Sequence, residues 1–229
     1  MISQNLARVQ SQITSICQRL GRNPQEITLV GVTKYADPVQ IKEAIDAGLA
    51  HIGENKVQMA QEKFPQLDQW GLKVTKHLIG HLQMNKAKHA VQFFDLIHSV
   101  ESLRLPHELA KQAQKINKTI DILVQVSTSG EGQKFGLTPN QTIQLIEEIL
   151  KLSNIRILGL MTMAPYTENQ DIIRQCFHDL RVLRDQVQKQ FPSSDKIQMK
   201  YLSMGMSSDY EIALEEGSNM VRIGTAIFK

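Results

Sequence analysis

The chain has 229 residues, 41% of them hydrophobic and 21% charged, with a formal net charge of +3. This is the composition of a globular protein of one large domain or two small ones, and it excludes an intrinsically disordered chain. Acids and bases interleave along the helical stretches, so there is no basic stripe for nucleic acid, and no apolar segment reaches the length of a membrane span. The start Met1-Ile2-Ser3-Gln4-Asn5-Leu6 lacks the basic opening and unbroken apolar run of a signal peptide, which makes the cytoplasm the expected compartment. Cys17 and Cys176 lie far apart in helical patterns with apolar neighbours and are expected as reduced core residues.

In chain order, Leu6, Val9, Ile13, Ile16, Cys17 and Leu20 recur at helical spacing over residues 4–20, and Gly21 follows as a C-cap. Short β-rich runs then alternate with longer amphipathic ones. The expected strands are 27–33, 50–54, 73–80, 95–100, 120–127, 156–162, 200–204 and 220–224. The expected helices are 38–47, 55–64, 83–93, 101–115, 139–152, 168–190 and 208–216. Asp37-Pro38 and Thr138-Pro139 each place a capping side chain before a proline. Eight such units without an intervening linker predict an α/β fold, a closed (β/α)₈ TIM barrel preceded by an extra helix, in a single domain over 1–229.

In such a barrel the functional groups gather where the strands end, and anion sites favour the loops after the seventh and eighth strands. The first strand ends at Lys34, the second at Glu54-Asn55, and the third runs into His81. An amine held in an apolar setting is a nucleophile for aldehydes; a surface lysine lying on its own alkyl stem is the plainer alternative. Ser203, Gly205, Ser207 and Ser208 precede a helix, and Gly224-Thr225 follow the last strand, together forming one expected phosphate cradle. Taken singly, each loop could merely cap a helix or turn the chain. Arg222, between Val221 and Ile223, requires an acceptor, either Glu54 across the barrel or a ligand atom. Asn55 could contact that ligand or cap a helix. His77 and His81 do not share a helix face and make a poor zinc pair. An aldehyde, a phosphate and a ring acceptor are combined in pyridoxal 5′-phosphate.

The runs Val32-Thr33-Lys34, Gly53-Glu54-Asn55-Lys56-Val57-Gln58, His77 through Lys86, Gly159 through Met163, Ser203 through Ser207 and Val221 through Phe228 span almost the whole chain. In this order they resemble the pyridoxal-phosphate homeostasis proteins of the YggS/PROSC type. The resemblance implies a fold-type III barrel like the N-terminal domain of alanine racemase, with the cofactor held as a Schiff base on Lys34. It also implies that Ser207, Gly224 and Thr225 hold the phosphate, that Arg222 faces the pyridine nitrogen, and that Asn55 and Ser203 line the pocket. Tyr35 stands where many relatives carry a small residue.

An arginine at the pyridine nitrogen disfavours its protonation and weakens the ring as an electron sink. Alanine racemase completes its site with a second domain, whereas this chain ends soon after the eighth strand. The expectation is therefore a monomeric, non-catalytic carrier or buffer of pyridoxal phosphate that meets apo-enzymes transiently. A pyridoxal-phosphate racemase or lyase, or an aldolase using Lys34 on a sugar phosphate, are the alternatives.

Overall fold

The computed structural model describes residues 1–128 and 136–229. Eight parallel strands close into a barrel in sequence order: β1 (Thr28–Val32), β2 (His51–Glu54), β3 (Thr75–Leu78), β4 (Leu96–Val100), β5 (Ile120–Gln125), β6 (Ile155–Met161), β7 (Ile197–Ser203) and β8 (Met220–Ile223). The ring closes between β1 and β8, with Thr28 opposite Met220 and Val30 opposite Arg222. The helices are α1 (Ile2–Arg19), α2 (Pro38–Asp46), α3 (Val57–Gln69), α4 (Ala87–Phe93), α5 (Arg104–Lys115), α6 (Pro139–Ile149), α7 (Gln170–Gln190), α8 (Tyr210–Glu215) and α9 (Thr225–Phe228). Among the described residues no helix is long and apolar enough to cross a membrane.

Period-two alternation along each strand separates two cores. Leu29, Val221 and Ile223 face the large shell between sheet and helices. Their neighbours Val30 and Met220 face inward and pack with Leu96, Leu123, Leu158 and Met161 in a small interior cluster. The same parity sends Arg222 into the barrel, and it governs the polar interior described below.

The expected caps form. Asp37 accepts from the Gln40 N–H and Thr138 from the Gln141 N–H, each in a reciprocal capping box with proline at the start of the helix. Gly21 takes φ +65° just past α1, where Arg22 N–H donates to Cys17 O at 2.8 Å. Leu6, Val9, Ile13, Ile16 and Cys17 form the buried face of α1, and Asn5 ties that helix to α9 by donating to Ile227 O at 3.2 Å. Cys17 and Cys176 are both buried and unpaired.

Several boundaries shift by three or four residues, β7 starting at Ile197 and α4 at Ala87, and two departures have a distinct cause. α3 continues through Pro65 to Gln69 because Phe64 and Leu67 are fully buried on its inner face, and that packing outweighs the hydrogen bond proline removes. The four-residue helix α9, too short to show a periodic pattern, follows β8 directly.

Candidate functional site

The backbone that leads to Lys34 is tied down on both sides. Thr33 is fully buried; its N–H donates to Gly53 O at 2.9 Å and its hydroxyl donates to Glu54 Oε1 at 2.8 Å. Lys63, reaching in from α3, donates to Thr33 O and to Glu54 Oε1, both at 2.8 Å. Glu54 therefore belongs to this clamp on the helix side of the sheet. That corrects the alternative in which Glu54 crosses the barrel to Arg222, since strand parity turns its side chain the other way. The other oxygen of the Glu54 carboxylate, Oε2, is buried without a partner among the described residues.

Past the clamp, Lys34 is exposed at the barrel mouth, as the plainer reading of a surface lysine has it, and not held in an apolar setting. β1 ends at Val32, so Lys34 lies beyond the sheet, where no neighbouring strand covers it. Its Nζ lies 5.0 Å from the centroid of the Tyr35 ring, and Lys229 Nζ approaches the same ring at 5.6 Å. Tyr35 is 76% exposed, so the residue that departs from the family pattern stands on the cavity rim between two ammonium groups.

Lys34, Ser207, Ser208, Arg222, Gly224 and Thr225 line one cavity of about 530 Å³. A second cavity of about 280 Å³ adjoins it, reached by Asn55, Gly80, Gln125 and Met163, and shares Val32, Lys34, Met206 and Arg222 with the first. Together these volumes suit a small phosphorylated ring compound.

The loop after β7 is built to expose donors. Met206 O accepts from the N–H groups of Asp209 and Tyr210, at 3.1 and 2.9 Å, while Met206 N–H donates to Asp209 Oδ1 at 2.5 Å. Burial pushes the Asp209 carboxyl above its ordinary range, while the Met206 N–H and Arg222 oppose that rise. The turn leaves the N–H groups of Ser207 and Ser208 with no acceptor among the described residues. Gly205, at φ +96°, makes this turn possible, since an added Cβ would lie 2.6 Å from Ala213 Cβ and 2.9 Å from Tyr210 Cα. Across the cavity, Thr225 opens α9, so its N–H has no intrahelical acceptor.

Arg222 is 4% exposed and makes no ion pair among the described residues. Its Nη1 donates to Ser203 Oγ at 2.7 Å and its Nη2 to Thr162 O at 3.0 Å. Burial lowers its pKa to about 10, partly opposed by Asp209, so it stays charged at neutral pH. Ser203 itself is fully buried and stands one step behind the cavity, holding Arg222, where the resemblance had it lining the pocket. Behind Ser203 stand three histidines: His98 Nδ1 lies 3.0 Å from Ser203 Oγ, His77 Nδ1 2.9 Å from His98 Nε2, and His51 Nδ1 3.0 Å from His77 Nε2. Burial holds His98 well below the usual imidazole range and His77 at about 3, and it also lowers the half-buried His51.

The structure thus brings Lys34, Asn55, Ser207, Arg222, Gly224 and Thr225 to one mouth. Sequence reasoning missed Lys63, His51, His77 and His98 as members of this assembly. Inward parity on β3 and β4, where His77 and His98 each occupy the third position, was the available signal.

A closed parallel barrel with a lysine after its first strand and, among the described residues, unengaged N–H donors after its seventh has the layout with which such barrels hold phosphate groups. The chain belongs to the alanine racemase N-terminal domain family, whose model matches residues 4–229. It is 40% identical over 225 residues to the pyridoxal phosphate homeostasis protein of Aquifex aeolicus, covering 98% of this chain and 96% of that one. It is also similar to the solved structure of PipY from Synechococcus elongatus with pyridoxal phosphate bound, at 33% identity and a TM-score of 0.88, with all of both chains covered. An alanine racemase of Clostridium difficile shares the fold alone, at 16% identity and a TM-score of 0.75, and this chain covers 56% of it.

Proposed function

We propose that this protein binds pyridoxal 5′-phosphate at the barrel mouth and carries or buffers it for the cell without transforming amino acids. The observation that carries the reading is that three complementary groups line one cavity: the Lys34 amine, the unengaged N–H groups at Ser207 and Ser208, and a buried guanidinium without a carboxylate partner. These residues fit the cofactor. Its aldehyde condenses reversibly with an amine, and Lys34 supplies that amine. Ser207, Ser208, Gly224 and Thr225 receive the phosphate, with Lys229 adding positive potential at the rim. Arg222 faces the ring nitrogen, and Asn55 contacts the ring from the adjoining cavity. The names of the Aquifex and Synechococcus relatives support the same assignment.

A donor-only guanidinium at the ring nitrogen keeps that nitrogen unprotonated and withholds the electron sink that racemases and lyases exploit. Exposure of Lys34 keeps the cofactor within reach of water and of an accepting protein. The reading includes a cytoplasmic monomer, one barrel domain and transient contact with apo-enzymes. Purified protein mixed with pyridoxal phosphate should turn yellow, and borohydride should fix the label on the peptide containing Lys34. Label spread over surface lysines, or unchanged labelling in Lys34→Ala, refutes the site. Turnover of any amino acid in a racemisation and decarboxylation panel, abolished by Lys34→Ala, refutes the carrier role.

A further inference from the structure

A hydrogen-bonded chain crosses the barrel interior from Arg222 through Ser203, His98 and His77 to His51, and one direction of its protons leaves no buried donor without an acceptor. Arginine only donates, so Ser203 Oγ accepts at 2.7 Å; His98 Nδ1, at 3.0 Å, is the one acceptor among the described residues for the buried hydroxyl's own proton, and the reverse arrangement would leave that proton unsatisfied. His98 Nδ1 is then an acceptor, which places that ring's proton on Nε2, from which it donates to His77 Nδ1 at 2.9 Å. The same step puts the His77 proton on Nε2, donating to His51 Nδ1 at 3.0 Å. His77 and His98 are fully buried, and desolvation keeps both rings neutral, so each carries a single ring proton.

We propose that His98, supported by His77 and His51, is a positioning residue that orients Arg222 toward the ring nitrogen of the bound cofactor. By taking the hydroxyl proton, His98 turns the Ser203 lone pairs toward Nη1 and holds the hydroxyl in that rotamer. With Nη1 tied to Ser203 and Nη2 to Thr162 O, the guanidinium plane is fixed. The positioning role rests on the cofactor reading above, whereas the direction of the chain rests on the contacts and on satisfying the buried Ser203 proton.

Two measurements separate these levels. In ligand-free protein labelled with ¹⁵N-histidine, long-range ¹H–¹⁵N correlation at neutral pH should show His98 and His77 as neutral Nε2–H tautomers. An Nδ1–H tautomer or an imidazolium at either residue overturns the inference and leaves the cofactor reading intact. Pyridoxal phosphate titrations should show an affinity loss of about tenfold in His98→Leu, the scale of one buried charge-assisted hydrogen bond. They should also show a shifted absorption band for the bound cofactor, while labelling at Lys34 persists. His98→Asn, which keeps an acceptor near the position of Nδ1, should recover most of the affinity and the original band. Ser203→Ala cuts the same link with a smaller change in volume and should reproduce the band shift if His98→Leu fails to fold. An unshifted band and wild-type affinity in folded His98→Leu or in Ser203→Ala overturns the positioning role. Failure of the wild-type protein to bind the cofactor overturns the cofactor reading, and the positioning role with it.

Discussion

Lys63→Met isolates the clamp beneath Lys34. The Lys63 side chain is 8% exposed and its Glu54 partner 0%, so their contact lies out of water, and Lys63 shares the carbonyl of Thr33 with the Ala36 N–H, which donates at 3.0 Å. Methionine preserves most of the volume and removes both hydrogen bonds. Glu54, which already has one unpartnered oxygen, is then left with the Thr33 hydroxyl alone. Removing one member of a buried pair costs about 3–5 kcal/mol. At about 2–4 °C per kcal/mol for a chain of this size, the melting temperature should fall by about 6–20 °C. Urea unfolding with linear extrapolation measures the loss directly. Lys42→Met, which breaks an exposed pair with Asp46 on α2, provides the control and should stay within about 0.5 kcal/mol of wild type. Adding Glu54→Leu to Lys63→Met should return part of the loss, because the uncompensated carboxylate goes with it. A loss below about 1 kcal/mol in Lys63→Met refutes the clamp.

Asp37→Ala removes a complete capping box and should cost about 1 kcal/mol in chemical unfolding, with cofactor binding unchanged. Gly205→Ala forces a side chain into left-handed backbone and against Ala213, so it should cost about 2 kcal/mol or more and weaken phosphate competition in cofactor titrations. Stability should also fall in mild acid: His77 binds its proton at about 3 in the folded chain against 6.5 when unfolded, so the unfolded state takes up more protons between those values. The stability is whole above pH 6.5 and declines by about 1.4 kcal/mol per pH unit below it from His77 alone, with His98 acting in the same direction. Unfolding midpoints that stay level from pH 7 to pH 5 contradict this.

All eight strands and the helix starts at Pro38 and Pro139 were legible because their signals are local: β-branched runs, a capping side chain, a proline at the first turn. Lys34, Ser207, Arg222, Gly224 and Thr225 were legible because barrel topology converts strand ends into neighbours. The surroundings of these residues were not. An apolar strand leaves open whether Lys34 is enclosed or at the surface, and two residues beyond β1 suffice to bring it into water. Glu54 and Arg222 are both buried charges near a strand end, and only the register of β1 against β2 and β8 shows that they face opposite sides of the sheet. The histidines at 51, 77 and 98 are scattered in sequence and meet because β2, β3 and β4 are consecutive staves.

The clamp and the lysine it precedes have opposite mechanical character. Thr33 is pinned at its N–H, hydroxyl and carbonyl, while one residue later a four-carbon side chain extends into solvent. Attachment at such a point needs no door to open, and neither does departure. Under the proposed cofactor reading, the lifetime of the loaded protein is then set by the chemistry at the amine and the grip of the phosphate loop, and its loading follows the ambient concentration of the cofactor within that lifetime. Dilution or dialysis should therefore unload it along a single exponential, without the lag that an enclosed site imposes.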